Sequence, residues 1–206
     1  MNLPSKSQGN VLFPIFLKLD QLTTLVVGGG EVGLEKIQAL LKNNPAAHIK
    51  LVAPDIKLEI IKLSQACPNL HLIRRYFKQK DLIGVDVAIL ATANRQVNQE
   101  IRTLTKKYGI ITNVADTPDL CDFYLGSTVT KGDLKIGIST NGKSPTFAKR
   151  FREVLEESLP EDLNQLLENL NSIRDSLKGD FGYKVKKLNQ ITSVLRQKQN
   201  SNSNYK

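Results

Sequence analysis

Six residues behind a short β-branched run constrain this chain more than any other feature. Thr23 to Val27 reads Thr-Thr-Leu-Val-Val, and Gly28-Gly29-Gly30-Glu31-Val32-Gly33 follows at once, matching G-x-G-x-x-G. Val32 to Leu41 then places Leu34, Ile37, Leu40 and Leu41 at helical spacing. A strand that turns through glycines into a helix is the context in which this motif holds a dinucleotide. Gly28 permits the tight turn. Gly30 lets backbone N–H groups approach a pyrophosphate at the positive end of the helix, and Gly33 allows helix and strand to pack closely. The plain alternative is a strand–helix turn that binds nothing.

The rest of the chain sets that motif in a frame. Strands are expected at Leu12–Leu19 (a lead-in), His48–Ala53, Leu70–Phe77, Val85–Ala91 and Ile110–Val114. Helices are expected at Ile56–Cys67 and Val97–Tyr108, the first helix ending at Asn43-Asn44-Pro45. Strand and helix thus alternate from Thr23 to Val114, which predicts an α/β fold with a parallel sheet and helices on both faces. After Asp116 the pattern changes. Leu125–Thr130 and Leu134–Ser139, joined by Lys131-Gly132-Asp133, predict an antiparallel hairpin. Pro145–Glu157, Glu161–Leu177 and Gly182 to about Lys198 read as helices, and Ser201–Lys206 as a polar tail.

Several residues are placed for chemistry, each with a simpler role beside it. Asp55 closes the second strand, where a carboxylate can bond an adenosine ribose and repel a 2′-phosphate, favouring NAD; it also precedes a helix and suits an N-cap. Thr92, Ala93 and Asn94 follow the fourth strand at the cofactor edge, although Asn94 also suits a helix cap. Asp116, in Asn113-Val114-Ala115-Asp116-Thr117-Pro118, follows the last parallel strand and is a candidate general base; a turn-forming aspartate before Thr-Pro is the competing reading. Ser139-Thr140-Asn141-Gly142-Lys143-Ser144-Pro145 is the other informative segment. Ser144 suits an N-cap and Pro145 the first helical position. Backbone N–H groups there, with Lys143, Lys149 and Arg150, can receive carboxylates or phosphates, or they form a well-capped helix with solvated cations.

Composition removes other classes. No apolar run approaches the ~20 residues that span a bilayer, so no membrane role is expected. Met1 to Asn10 lacks the apolar core of a signal peptide, which predicts a cytoplasmic protein. His48 and His71 are the only histidines, and Cys67 and Cys121 are far apart, so no metal site can be named. Both cysteines read as buried small apolar side chains. The net charge of +9 is concentrated after Asp180, where Lys184, Lys186, Lys187, Arg196, Lys198 and Lys206 meet no acid. Without an aromatic-interleaved basic stripe it reads as a solvated tail, not a nucleic-acid site.

Val26 to Lys36, Ala91-Thr92-Ala93-Asn94 with Val97-Asn98, Asn113 to Pro118 and Ser139 to Pro145 occur in the order seen in siroheme-synthase dehydrogenases. Over roughly residues 10–160 the chain resembles that family's precorrin-2 dehydrogenase/chelatase module, without the methyltransferase part. The resemblance implies NAD-dependent oxidation of precorrin-2 to sirohydrochlorin, on the way to siroheme or cobalamin, and in some members insertion of ferrous iron. It implies a Rossmann NAD-binding domain (residues 1–117), a small β-rich dimerisation region (118–144) and a C-terminal helical region (145–206). It also implies a homodimer whose assembly builds the active cleft, with Gly28 to Gly33, Asp55 and Thr92 to Asn94 at the cofactor. The family's catalytic aspartate falls on Asp116. Ser139, Thr140, Lys143, Ser144 and Arg150 fall at the tetrapyrrole. The family's phosphorylatable serine aligns with Thr140, and Asn141 replaces a glycine common in that loop. Metal insertion is expected to be weak or absent, because no soft or imidazole ligand set can be named.

Overall fold

The computed structural model describes residues 9–193, in two units divided between Gly126 and Ser127. The expectations for Met1 to Gln8, for Arg196, Lys198 and Lys206, and for a helix continuing to Lys198 lie outside those residues.

The first unit is a five-stranded parallel sheet of order β3-β2-β1-β4-β5. Its strands are β1 (Thr23–Gly29), β2 (His48–Ile56), β3 (Leu70–Arg74), β4 (Val87–Leu90) and β5 (Ile111–Val114). The crossovers are α1 (Glu31–Asn43), α2 (Leu58–Ala66) and α3 (Arg95–Lys107), with a 3₁₀ turn at Gln79–Leu82 before β4. Successive strand residues face opposite sides, and the Leu25-Val26-Val27 centre of β1 is apolar on both. Val26 packs with Ile37 and Ile60 in one core, whereas Leu25 and Val27 pack with Ile101 and Leu90 in the other. Each large side chain so buried contributes ~1.5–3 kcal/mol. The strand order reverses direction between β1 and β4, which opens a crevice at their carboxyl ends.

Two sequence expectations are corrected. Leu12–Leu19 is not a strand: Asn10 to Lys18 has no regular structure, and Val11, Phe13 and Phe16 are exposed. Pro14 sits in the middle of that run and has no N–H to give a ladder. The fourth strand is also shorter than Val85–Ala91, running from Val87 to Leu90; just before it the Asp86 N–H donates to Thr23 O at 3.0 Å and the Asp86 carboxylate accepts from the Thr23 N–H at 2.8 Å.

An ion pair between a partly exposed arginine and a buried aspartate holds the turn before β4. Arg75 donates to both oxygens of Asp81 at 2.6 and 2.8 Å, the Lys78 N–H adds a third bond at 2.8 Å, and Asp81 is 5% exposed. The guanidinium keeps the Asp81 carboxyl below the usual carboxylate range. A depressed value means the contribution is complete at neutral pH and disappears as pH falls through the folded value. Asp81→Asn is therefore expected to cost about 1–3 kcal/mol near neutral pH. In urea titrations that gap should close below the ordinary aspartate range.

The second unit begins with a hairpin, β6 (Ser127–Lys131) and β7 (Leu134–Ile138), paired antiparallel about Gly132-Asp133. Helices α4 (Pro145–Ser158), α5 (Leu163–Ser176) and α6 (Phe181–Ile191) follow. Val129 of β6 and Ala148 of α4 are buried, and the Asp133 N–H bonds Asn164 of α5 at 3.0 Å. The Lys131–Glu161 ion pair ties the hairpin to the chain entering α5.

Candidate functional site

Four segments of the first unit meet at the carboxyl edge of its sheet. Gly28 has φ +117°, and a Cβ added there would lie 2.3 Å from the Ala91 carbonyl oxygen. The glycine turn therefore lies directly against the chain that leaves β4. A Cβ at Gly29 would lie 2.3 Å from the Asp55 carbonyl oxygen, and the Lys57 N–H donates to Gly29 O at 3.0 Å, so the end of β2 lies on its other side. The Ala115 N–H donates to Leu90 O at 2.9 Å, which brings the Asp116 turn beside β4. A Cβ at Gly33 would lie 2.1 Å from Gly28 O, so α1 packs on the turn, whereas one at Gly30 would meet nothing within 4 Å.

Gly30 is the N-cap of α1 and offers no side chain to its first turn. The N–H groups of Glu31, Val32 and Gly33 thus begin a helix with no side-chain oxygen over them, an arrangement suited to an anion. This fits the pyrophosphate of a dinucleotide.

The other candidates divide. Asp55 is exposed within β2, and the N-cap of α2 is Lys57, so the capping alternative for Asp55 falls. Asn94 is the N-cap of α3, its side chain accepting from the Gln96 and Val97 N–H groups at 3.0 and 3.1 Å. Thr92 donates to Asn98 Oδ1 at 2.6 Å, and the Asn98 amide donates to Thr92 O at 3.0 Å. Asn98, 3% exposed, is thus the group that shapes the loop, leaving Ala93 at its exposed tip. The signals for Asn98 in the sequence were its place in the family pattern and its position as a polar residue one turn before Ile101 on α3.

Asp116 is exposed and has φ +56°, in the left-handed region that aspartate and asparagine tolerate better than most residues. The turn is bracketed by Cys121. Its Sγ accepts from the Val114 N–H at 3.2 Å and lies 3.2 Å from Val114 O and 3.4 Å from Thr117 O. Burial pushes the Cys121 thiol up, so it is a neutral donor. The reading of Cys121 as merely apolar is corrected, and both cysteines are only partly buried. Beyond it, the Asp122 carboxylate accepts from the Thr112 N–H at 2.9 Å and from Arg102 at 2.6 Å, and Asn113 donates to Phe123 O at 2.9 Å.

In the second unit the expected loop is a tight turn. The Lys143 N–H donates to Thr140 O at 3.1 Å around Asn141 and Gly142, with φ of +54° and +74°. Asn-Gly is the dipeptide such a turn prefers. Ser144 caps α4 by accepting from the Phe147 N–H at 3.2 Å, and Pro145 has no N–H, so this helix start is less open to an anion than α1. The Thr140 hydroxyl bonds the Ser144 backbone at 3.2 Å, Lys143 is exposed, and Arg150 pairs with Glu153 at 2.9 Å. Among the described residues no cluster of three or more His, Cys, Asp or Glu could hold a metal, and no helix is long and apolar enough to cross a membrane.

The doubly wound sheet and its glycine-lined edge define a dinucleotide-binding protein. A family model described as putative NAD(P)-binding matches residues 15–127, and one described as sirohaem biosynthesis protein central matches residues 131–158. The chain belongs to the first of these, the putative NAD(P)-binding family. It is 37% identical over 168 residues to a siroheme synthase of Pseudoalteromonas translucida and 33% identical over 168 residues to one of Nitrosomonas europaea. In each case 82% of this chain is matched to 35% of the relative, so the chain spans about a third of the length of these curated relatives. A solved structure of SirC, a precorrin-2 dehydrogenase, superposes with a TM-score of 0.70 at 26% identity, covering 87% of this chain and 89% of that one.

Proposed function

We propose that the chain oxidises precorrin-2 to sirohydrochlorin with NAD, in siroheme or cobalamin synthesis. One observation carries this reading: the likeness to a precorrin-2 dehydrogenase runs along nearly nine-tenths of both chains, well past the cofactor-binding half. NAD, when bound, accepts the hydride. The chain's own residues do the remainder. The open start of α1 receives the pyrophosphate, and Asp55 accepts from the ribose and repels a 2′-phosphate. Thr92 and Asn98 fix the loop on which Ala93 and Asn94 face the cofactor. Asp116 takes the proton that leaves the macrocycle with the hydride. Ser139, Thr140, Lys143, Ser144 and Arg150 contribute polar and cationic contacts to the carboxylates of the substrate.

The same reading gives a cytoplasmic homodimer. Its support is the hairpin β6–β7, a two-stranded sheet too small to stand alone, for which pairing with a second copy is an economical cover. The domain limits 1–117, 118–144 and 145–206 belong to this proposal, with 118–144 as the dimerisation region.

Anaerobic incubation with precorrin-2 and NAD tests the activity directly. NADH and sirohydrochlorin absorbance should rise together in equal amounts. A protein that binds NAD but forms neither product would be a non-catalytic NAD module. Cofactor choice is tested by calorimetry at matched salt, where NAD should bind more tightly than NADP and Asp55→Ala should narrow the difference.

A further inference from the structure

The end of β2 carries two opposed signals for a dinucleotide. Asp55 is exposed near the end of β2, and Lys57, the N-cap of α2, follows two residues later at the same sheet edge. A carboxylate at this position selects NAD by its bond to the ribose and its repulsion of a 2′-phosphate, whereas a cation there attracts that phosphate. On position alone Lys57 would undo what Asp55 does.

Lys57 has another partner. Its ammonium forms an ion pair with the carboxylate of Glu31, the first residue of α1, across the same contact in which the Lys57 N–H bonds Gly29 O. Glu31 is 78% exposed at the side chain and Lys57 29%, so the lysine lies down on the glycine turn and the glutamate covers it from the solvent side. The bond to Glu31 raises the proton affinity of Lys57, with a smaller push from Glu59 in the first turn of α2, so the lysine stays charged.

We propose that Glu31 is a cofactor-selecting residue: by holding Lys57 in an ion pair it withdraws that cation from a 2′-phosphate and leaves Asp55 to read the ribose. This rests on the dinucleotide reading above. Glu31 then acts on specificity through Lys57, without touching the ribose itself. It also explains a carboxylate at the mouth of an anion site, where it would otherwise repel the pyrophosphate: its charge is cancelled by the lysine it holds.

The test is the ratio of NADP to NAD dissociation constants, measured by calorimetry at matched low salt on the full chain. In Glu31→Gln, Lys57 is released and NADP should gain about three- to tenfold on NAD. In Glu31→Gln/Lys57→Met the gain should vanish, because the cation that made it is gone. A loss of folding, or a general effect on the pyrophosphate, moves both dinucleotides alike and cancels in the ratio. A ratio unmoved by Glu31→Gln overturns the inference, as does a gain that survives in the double variant. Wild-type protein that binds neither dinucleotide overturns the dinucleotide reading together with it, an outcome distinct from both.

Discussion

Asp116→Asn is expected to lower turnover about 10²–10⁴-fold, or ~3–5 kcal/mol of barrier, while NAD affinity and melting temperature stay at wild-type values. The left-handed backbone at Asp116 makes asparagine the right replacement, since it tolerates φ near +56° as aspartate does. The turn is held by bonds on either side, from the Val114 N–H to Cys121 Sγ at 3.2 Å and from the Thr117 N–H to Val114 O at 3.3 Å, so its shape does not depend on the carboxylate. Asn keeps the size and the conformation and removes the ability to take a proton. If Asp116 merely forms the turn, the substitution changes almost nothing. Turnover above about a tenth of wild type would move proton removal to another group or to solvent. Alanine is the poorer probe, because a Cβ without a polar partner in this region costs about 1–2 kcal/mol by itself.

Gly28→Ala is expected to destabilise the first unit by about 2–6 kcal/mol, the sum of ~1–3 for a strained backbone and ~1–3 for overpacking. The atoms in the way are the Ala91 carbonyl at 2.3 and 2.6 Å and the Thr92 nitrogen at 3.0 Å, all main chain, so no flexible side chain can yield. Each kcal/mol lowers the melting temperature of a chain this size by about 2–4 °C. The loop from Ala91 to Asn94 would be pushed off the cofactor edge, so NAD binding should fall as well. Gly30→Ala is the control: its Cβ meets only open space, so the protein should melt normally and lose affinity only through the ligand. A Gly28→Ala protein that melts with wild type would mean that β1 and β4 separate more easily than their packing indicates.

The parallel sheet was legible because its central strands are buried on both faces and read as apolar runs between helices of clear period. Val26, Ile37 and Ile60 fall in one core as that pattern requires. Leu12–Leu19 misleads for the same reason: its apolarity is visible in the sequence, whereas Pro14 lacks an N–H to give a ladder and no strand of the sheet pairs with this run. At the site, Gly28 and Gly33 were readable from the motif, whereas the contact of Gly29 with Asp55 depends on how far β2 runs past the turn. The cap alternative for Asp55 differed from the observed cap by two residues, which is the ordinary uncertainty of a helix boundary. Cys121 and Asp122 were missed as organising residues because bonds from a side chain to main chain seven to ten residues away leave no periodic trace.

Those two residues have a bearing on behaviour at high concentration. On the outer side of β5 the Thr112 N–H is taken by the Asp122 carboxylate, the Val114 N–H by Cys121 sulfur, and Thr112 O by the Asp122 N–H at 2.8 Å. An end strand usually offers such groups to any passing strand, which is how sheets join edge to edge into aggregates. Here the returning chain occupies them with a carboxylate, a thiol and one amide, and it adds no sixth strand whose far side would be equally sticky. This flank of the sheet is sealed against further strand addition, so copies of the protein that associate must do so through other surfaces.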